Sequence, residues 1–153
     1  MKLEQQLQEI VNEAPEHGVP SEVVEKAIAP ILMSCADQLQ KLEYFVLQNL
    51  SGEWILTTLV NPSLNQEKRV IYAFVSVQDA AKFQGKEDLD IVAVPITVIQ
   101  LLFRLFSLQQ VDSLIFLENS ANLNQGQEIQ REPLANSIMS QIKQLKQNNS
   151  NIA

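Results

Sequence analysis

The spacing of apolar residues divides the chain into a helical N-terminal part and a longer part in which strands and helices alternate. The run LEQQLQEIVNEA repeats apolar residues at helical spacing and predicts a first helix. A second helix is predicted from Ser21, whose hydroxyl suits an N-cap. Pro30 lies inside it and predicts a kink or break near Ala29, because proline removes a helix hydrogen bond. The two helices form a predicted arm, residues 1–41, packed on the main domain.

From residue 44 onward the pattern changes to that of β-strands. Tyr44–Leu50 and Glu53–Val60 are rich in aromatic and aliphatic residues, and Ser51-Gly52 between them is typical of a tight turn. These features predict a β-hairpin. The next strand, Arg69–Val75, is apolar on both faces, which predicts a central position in the sheet.

Helices and strands then alternate to the end of the chain. Ser76 predicts a helix N-cap and Gly85 a helix end, and the strands LDIVAVP and VDSLIFLE flank a helix over 97–108. A short edge strand, EIQR, precedes a last helix that begins near Pro133. Crossovers that contain helices join parallel strands.

The prediction is therefore an α/β (α+β) fold with a mixed sheet of five to six strands. It combines an antiparallel hairpin with a parallel βαβαβ unit, and helices pack on the sheet. Residues 42–147 form the α/β domain, and residues 148–153, which are rich in Asn, form a disordered tail.

The helix over 97–108 has an apolar arc that is wider than one contact with a sheet requires, while its polar residues form one stripe: Gln100, Arg104 and Ser107. Three interpretations stay open. The helix is sandwiched between the sheet and another helix, or part of its arc is a surface for a partner, or it lies in a membrane interface. The candidate interaction residues are Leu101, Phe103, Arg104 and Phe106.

Charge and composition narrow the partners and the compartment. Eleven basic and 18 acidic residues give a net charge of −7, which disfavours nucleic acid and anionic membrane surfaces. No apolar run is long enough to span a bilayer, and the polar N-terminus is not that of a secretory signal. The single cysteine, Cys35, suits a reducing compartment, so a cytoplasmic location is expected.

The residues predict no catalytic, metal or cofactor site. The one histidine, His17, has no evident acid or base partner, and a zinc site with several His or Cys ligands is excluded by count. Four glycines assemble no phosphate-binding loop. The acidic cluster at 86–90 lacks the spacing of a calcium loop. Trp54 and Phe45 are expected in the core rather than stacked on a base.

The stretch from Tyr44 to Phe116 resembles the SseB N-terminal type of domain. The similarity rests on the strand YFVLQN and on RVIYAFVSVQDAAKF, IVAVPITVIQLL and VDSLIFLEN, with these residues at comparable places: Phe74, Ser76, Asp79, Ala80, Ala81, Phe83, Pro95 and Asn119. A similar rhythm occurs in Tic22 chloroplast-import proteins and their cyanobacterial relatives. The resemblance covers about half the chain, and the long N-terminal helices depart from the SseB pattern. It implies a non-enzymatic interaction or chaperone-like module without catalytic residues.

Three functions follow as hypotheses. The first is a non-enzymatic cytoplasmic protein that binds a protein partner or self-associates, with possible dimerisation and no contact with nucleic acid. The second is a regulatory domain that binds a small molecule at the carboxyl ends of the parallel strands, with a pocket mouth at Ser76, Pro95, Glu118 and Asn119. The third is an enzyme that relies on Asp, Glu, Ser or Tyr, which the sequence alone does not assemble.

Overall fold

The fold is an α/β fold with a six-stranded mixed sheet, as the sequence predicts. The structure, a computed structural model, describes residues 1–123 and 125–150, with the backbone alone at 149 and 150. The strands are β1 Glu43–Asn49, β2 Thr57–Asn61, β3 Gln66–Phe74, β4 Ile91–Thr97, β5 Ser113–Leu117 and β6 Gln127–Gln130. Their order in the sheet is β4-β1-β3-β5-β6, and β2 pairs with β3.

More helices pack on one face of this sheet than on the other. The helices are α1 Leu3–Glu13, α2 Ser21–Val23, α3 Ala29–Ala36, α4 Val77–Gln84, α5 Val98–Ser107 and α6 Arg131–Ser150. α1, α3 and α6 contact α5 and cover one face of the sheet together with it, whereas α4 packs on the opposite face. None of the helices in the described ranges is long and apolar enough to cross a membrane.

Strand directions agree with the predicted parallel unit, although its members are not all neighbours. β1 is antiparallel to both β3 and β4, and β3 pairs with β5 in parallel, so β3, β4 and β5 share one direction. β3 lies in the centre of the sheet and β6 lies at an edge, as predicted. β1 lies between β3 and β4, which the order of elements along the chain does not indicate.

The predicted hairpin of Tyr44–Leu50 with Glu53–Val60 is wrong beyond its turn. The turn forms, with Gly52 at φ +84°, but only the bridge between Gln48 and Trp54 continues it. β2 begins at Thr57 and pairs with β3 instead. β1 and β2 pair with the same edge of β3 at different positions. β1 pairs with Ala73 and Phe74 at the C-terminal end of β3, whereas β2 pairs with residues 66–70 at its N-terminal end.

Of the kink or break predicted near Ala29, the break does not occur, because the backbone is helical on both sides of this residue. The helix continues through Pro30, because a π-helical segment at Val24–Ile28 precedes it and changes the hydrogen-bond register where proline lacks an N–H group. At the other end of the chain, α6 runs to Ser150, beyond the predicted start of the tail at 148. Residues 151–153 of that predicted tail lie outside the described residues.

Pro95 lies within β4, an edge strand of the sheet, where a proline is tolerated. Among the described residues, β4 pairs with β1 alone, and Val98 N donates to Leu42 O at 3.0 Å. In an antiparallel pair, the backbone N–H and C=O groups of alternate residues point toward the partner strand and away from it. Val98 N points toward β1, so the backbone nitrogen of Pro95, three residues earlier, points away from β1 to the open edge. Its missing N–H group removes a donor that another strand could use, which blunts this edge.

Candidate functional site

A polar pocket lies at the carboxyl end of β5, where the sequence predicts a ligand site. Glu118 and Asn119 line it together with Gln40 and Ser120, and its volume is about 550 Å³. Glu118 Oε1 accepts hydrogen bonds from Gln40 N, at 2.8 Å, and from the Tyr44 hydroxyl. One carboxylate oxygen therefore joins the end of the N-terminal arm to the sheet, and this use limits its availability to a ligand.

The other two predicted pocket residues have different surroundings. Ser76 Oγ caps α4 by accepting from Asp79 N at 3.1 Å, and Ser120 Oγ donates to Asp79 Oδ2 at 2.7 Å. Asp79 thus links Ser76 to Ser120 by two hydrogen bonds, but Ser76 itself does not line the pocket. Pro95 is exposed on the open edge of β4 and does not line the pocket. The predicted mouth is therefore corrected to its Glu118 and Asn119 half.

Tyr44 connects this pocket to the core. Its ring is fully buried and packs edge to face on Phe116, with ring centroids 4.8 Å apart. Burial raises the pKa of the Tyr44 hydroxyl, and the hydrogen bond to Glu118 raises it further, against a smaller opposing effect from the Lys41 backbone. Tyr44 therefore stays a neutral donor to Glu118 and is not poised as a proton acceptor.

The single histidine and the single cysteine lie on different elements, His17 in a 3₁₀ turn and Cys35 on α3. His17 is exposed in a 3₁₀ turn at Ala14–His17. Cys35 is half-buried on α3, and burial raises the pKa of its thiol, which lowers its reactivity at neutral pH. Within 1–123 and 125–150, no group of three His, Cys, Asp or Glu residues could hold a metal ion.

The candidate interaction residues on α5 are mostly inside the molecule. Leu101 is fully buried, which corrects its assignment to a surface. Phe103 and Phe106 are partly buried and pack against the main apolar cluster, because α1, α3 and α6 cover this helix. Of the four candidates, Arg104 alone carries a polar group, and its guanidinium lies 4.0 Å from the centroid of the Trp54 ring.

A second apolar surface, covered by α4 alone, lies on the face of the sheet opposite α5, and sequence reasoning missed it. We call it the open sheet face; its members are partly buried residues of β1, β3, β4 and β5 that pack around α4: Phe45, Leu47, Tyr72, Ala93 and Ile115. Phe83 of α4 extends this surface: its ring centroid lies 4.6 Å from that of Tyr72, and the residue is 39% exposed. Leu89, in the loop between α4 and β4, is 83% exposed. Apolar residues on both faces of β1 are the signal that could have indicated this surface.

A polar cavity lies at the end of the sheet opposite the pocket of Glu118 and Asn119. It has a volume of about 900 Å³ and is lined by residues of β2, β3, β5 and α6, among them Lys68, Ser113 and Arg131. Lys68 forms an ion pair with Glu128, which also accepts a hydrogen bond from Ser113. Burial alone raises the pKa of Glu128, but Lys68 and Ser113 outweigh it and hold that pKa below its ordinary value. Lys68 and Glu128 compensate each other's charge, whereas Arg131 donates from Nη2 to Phe106 O at 2.8 Å and its buried Nε has no acceptor within the described residues.

Comparison with known proteins adds no assignment to this geometry. No protein-family model matches the chain, and no curated protein matches it. The resemblance to the SseB N-terminal domain stays a prediction.

Proposed function

We propose that this protein is a non-enzymatic, chaperone-like interaction module that holds apolar segments of a basic protein partner on the open sheet face. One observation carries the proposal: α5 and its face of the sheet are covered by three helices, whereas the opposite face has α4 alone. Incompletely covered apolar surface of this kind is typical of protein-binding sites.

Net charge favours a partner that is not a second copy of the chain. The protein carries a charge of −7, so a second copy would bring like charge to the contact, whereas a basic segment would be attracted. The acidic residues Glu87, Asp88 and Asp90 surround Leu89 in the loop beside α4, although Lys86 lies in the same loop. A cytoplasmic location is part of the proposal, because the single cysteine needs no oxidising compartment.

Suppression of aggregation tests the proposal with defined clients. Reduced lysozyme serves as a basic client and reduced α-lactalbumin as an acidic one, with light scattering as the readout. We expect the protein to delay aggregation of the basic client more than that of the acidic client. The variant Phe83→Lys/Leu89→Lys should lose most of this effect, because it places two ammonium groups at the apolar surface.

A matched control is Leu64→Lys, which makes the same kind of change at a residue 62% exposed in the β2–β3 turn. This variant should protect the basic client as the wild type does. Equal protection by the Phe83→Lys/Leu89→Lys variant, or no protection of either client, would overturn the proposal. A stable dimer in solution that this variant dissociates would instead assign the face to a second copy.

A small-molecule site is the second candidate, because Glu118 and Asn119 do line one pocket of about 550 Å³. A ligand there would contact the free oxygen of Glu118 and the Asn119 amide. A thermal-shift screen of metabolites tests it, with Asn119→Ala as the variant that should lose any shift. A screen without a stabilising compound, or a shift that Asn119→Ala retains, would exclude this pocket.

A further inference from the structure

A small cavity on the covered side of the sheet places a cationic side chain beside the single tryptophan. Its volume is about 190 Å³, and its lining includes Trp54, Arg104, Glu53 and Gln110. Trp54 and Ile71, which also lines it, belong to the apolar cluster under α5, so this cavity lies on the opposite side of the sheet from the open sheet face. It is therefore independent of the surface in the proposed function.

Arg104 brings to this cavity a positive charge that forms no ion pair within the described residues. Its guanidinium lies over the Trp54 ring, at 4.0 Å from the centroid, and it forms no hydrogen bond or ion pair with the rest of the described chain. Burial lowers the pKa of Arg104 from its ordinary value. The residue remains charged at neutral pH, because the guanidinium starts from a very high pKa. A half-buried charge without a partner is costly unless a ligand pairs with it.

Trp54 forms part of the wall of this cavity. Its side chain is 92% buried, being only 8% exposed, and its Nε1–H donor has no acceptor within the described residues. Buried indole donors normally have a hydrogen-bond partner. Arg104 therefore presents N–H donors without a protein acceptor at a cavity whose wall includes Trp54, which is the arrangement that a ligand with acceptor oxygens would complete.

We propose that this cavity is a binding site for a carboxylate, in which Arg104 pairs with the two oxygens and Trp54 forms one wall. The planar guanidinium presents parallel N–H groups at the spacing of carboxylate oxygens, and its stacking on the indole fixes its orientation. A monoanion is favoured over a phosphate dianion, because the Glu53 carboxylate also lines the cavity and repels the second charge. The carboxylate belongs either to a small organic acid or to the C-terminus of a peptide.

Fluorescence of the protein tests the site directly, because Trp54 is the single tryptophan of the chain. Acetate, and separately a short peptide with a free C-terminus, replaces chloride at constant ionic strength, and Trp54 emission is recorded. We expect a saturable change with a dissociation constant below about 100 mM for acetate, a weak affinity suited to a single ion pair. Tighter binding of the peptide than of acetate assigns the carboxylate to a chain terminus, and the amidated peptide should then not bind. The reverse order assigns it to a small acid.

Three variants distinguish the site from a general salt effect. Arg104→Gln should abolish the saturable change, and Arg104→Lys, which keeps the charge but loses the planar fork, should weaken binding. Glu53→Gln should strengthen binding on the order of threefold, because it removes the repelling carboxylate. Circular dichroism verifies folding, and if Arg104→Gln does not fold, Arg104→Lys and Glu53→Gln decide the question. No saturable change in the wild type, or affinities that none of the variants alters, would overturn the proposal.

Discussion

The buried amide of Gln6 holds the N-terminal arm on the main domain, and its replacement by methionine should destabilise the fold. The side chain is 1% exposed. Its Oε1 accepts from Ile99 N at 3.1 Å, and its Nε2 donates to Met1 O and to Leu42 O, each at 3.0 Å. Three parts of the chain, the N-terminus, the start of β1 and the start of α5, therefore meet at one side chain.

The Ile99 N–H group matters most, because it is one of the donors at the start of α5 that no carbonyl of the helix can satisfy. Thr97, at the N-cap position, forms no capping hydrogen bond with its side chain, so Gln6 serves as the cap from another helix. Methionine has a similar length but no comparable acceptor. It would leave a buried donor unpaired, at about 1–3 kcal/mol, while Met1 O and Leu42 O would lose bonds of about 1 kcal/mol each and regain some from water.

We therefore expect Gln6→Met to lower the free energy of unfolding by about 2–4 kcal/mol. Urea denaturation followed by circular dichroism measures this loss, and hydrogen exchange should show lower protection at Ile99 N–H. The control is Gln8→Met on the exposed side of the same helix, where Gln8 bonds only to the Asn12 side chain and the change should stay within about 0.5 kcal/mol. A loss below about 1 kcal/mol for Gln6→Met would refute the capping argument.

Three further predictions concern Gly126, Glu128 and the two tyrosines. Gly126→Ala places a Cβ atom 2.7 Å from Ile115 Cγ2, so it should cost about 1–3 kcal/mol in urea denaturation; an unchanged midpoint would contradict this close approach. The pKa of Glu128 is lowered in the folded protein, so its stabilising effect is present above its unfolded pKa and is lost as pH falls through the lower folded pKa. Glu128→Gln should thus reduce stability at neutral pH by up to about 1 kcal/mol, a difference that shrinks at acid pH, and a constant difference would argue against the depressed pKa. Both tyrosines, Tyr44 and Tyr72, have raised pKa values, so at pH 10 the folded protein should show less phenolate absorbance at 295 nm than the urea-unfolded chain, and equal absorbance would contradict their burial.

Local signals in the sequence determined the elements and several of their ends. Ser76 and Gly85 delimit α4 as predicted, since an N-cap hydroxyl and a left-handed glycine act within one turn of the helix. The central position of β3 followed from its two apolar faces. Glu118 and Asn119 directly follow β5 and line a pocket at its carboxyl end, so the sequence indicated where these two residues would lie.

Tertiary structure alone decided which strands pair, which helix faces are covered and which polar groups meet. Backbone N–H and C=O groups are alike in every strand, so nothing local in β2 indicated that it would pair with β3 rather than β1. The wide apolar arc of α5 indicated that it needed cover, but not that α1, α3 and α6 would supply it and leave the opposite sheet face open. Gln6 caps a helix 93 positions away in sequence, and Arg104 and Trp54 line one cavity from separate elements. Such contacts depend on how distant segments pack, which residue spacing along the chain does not encode.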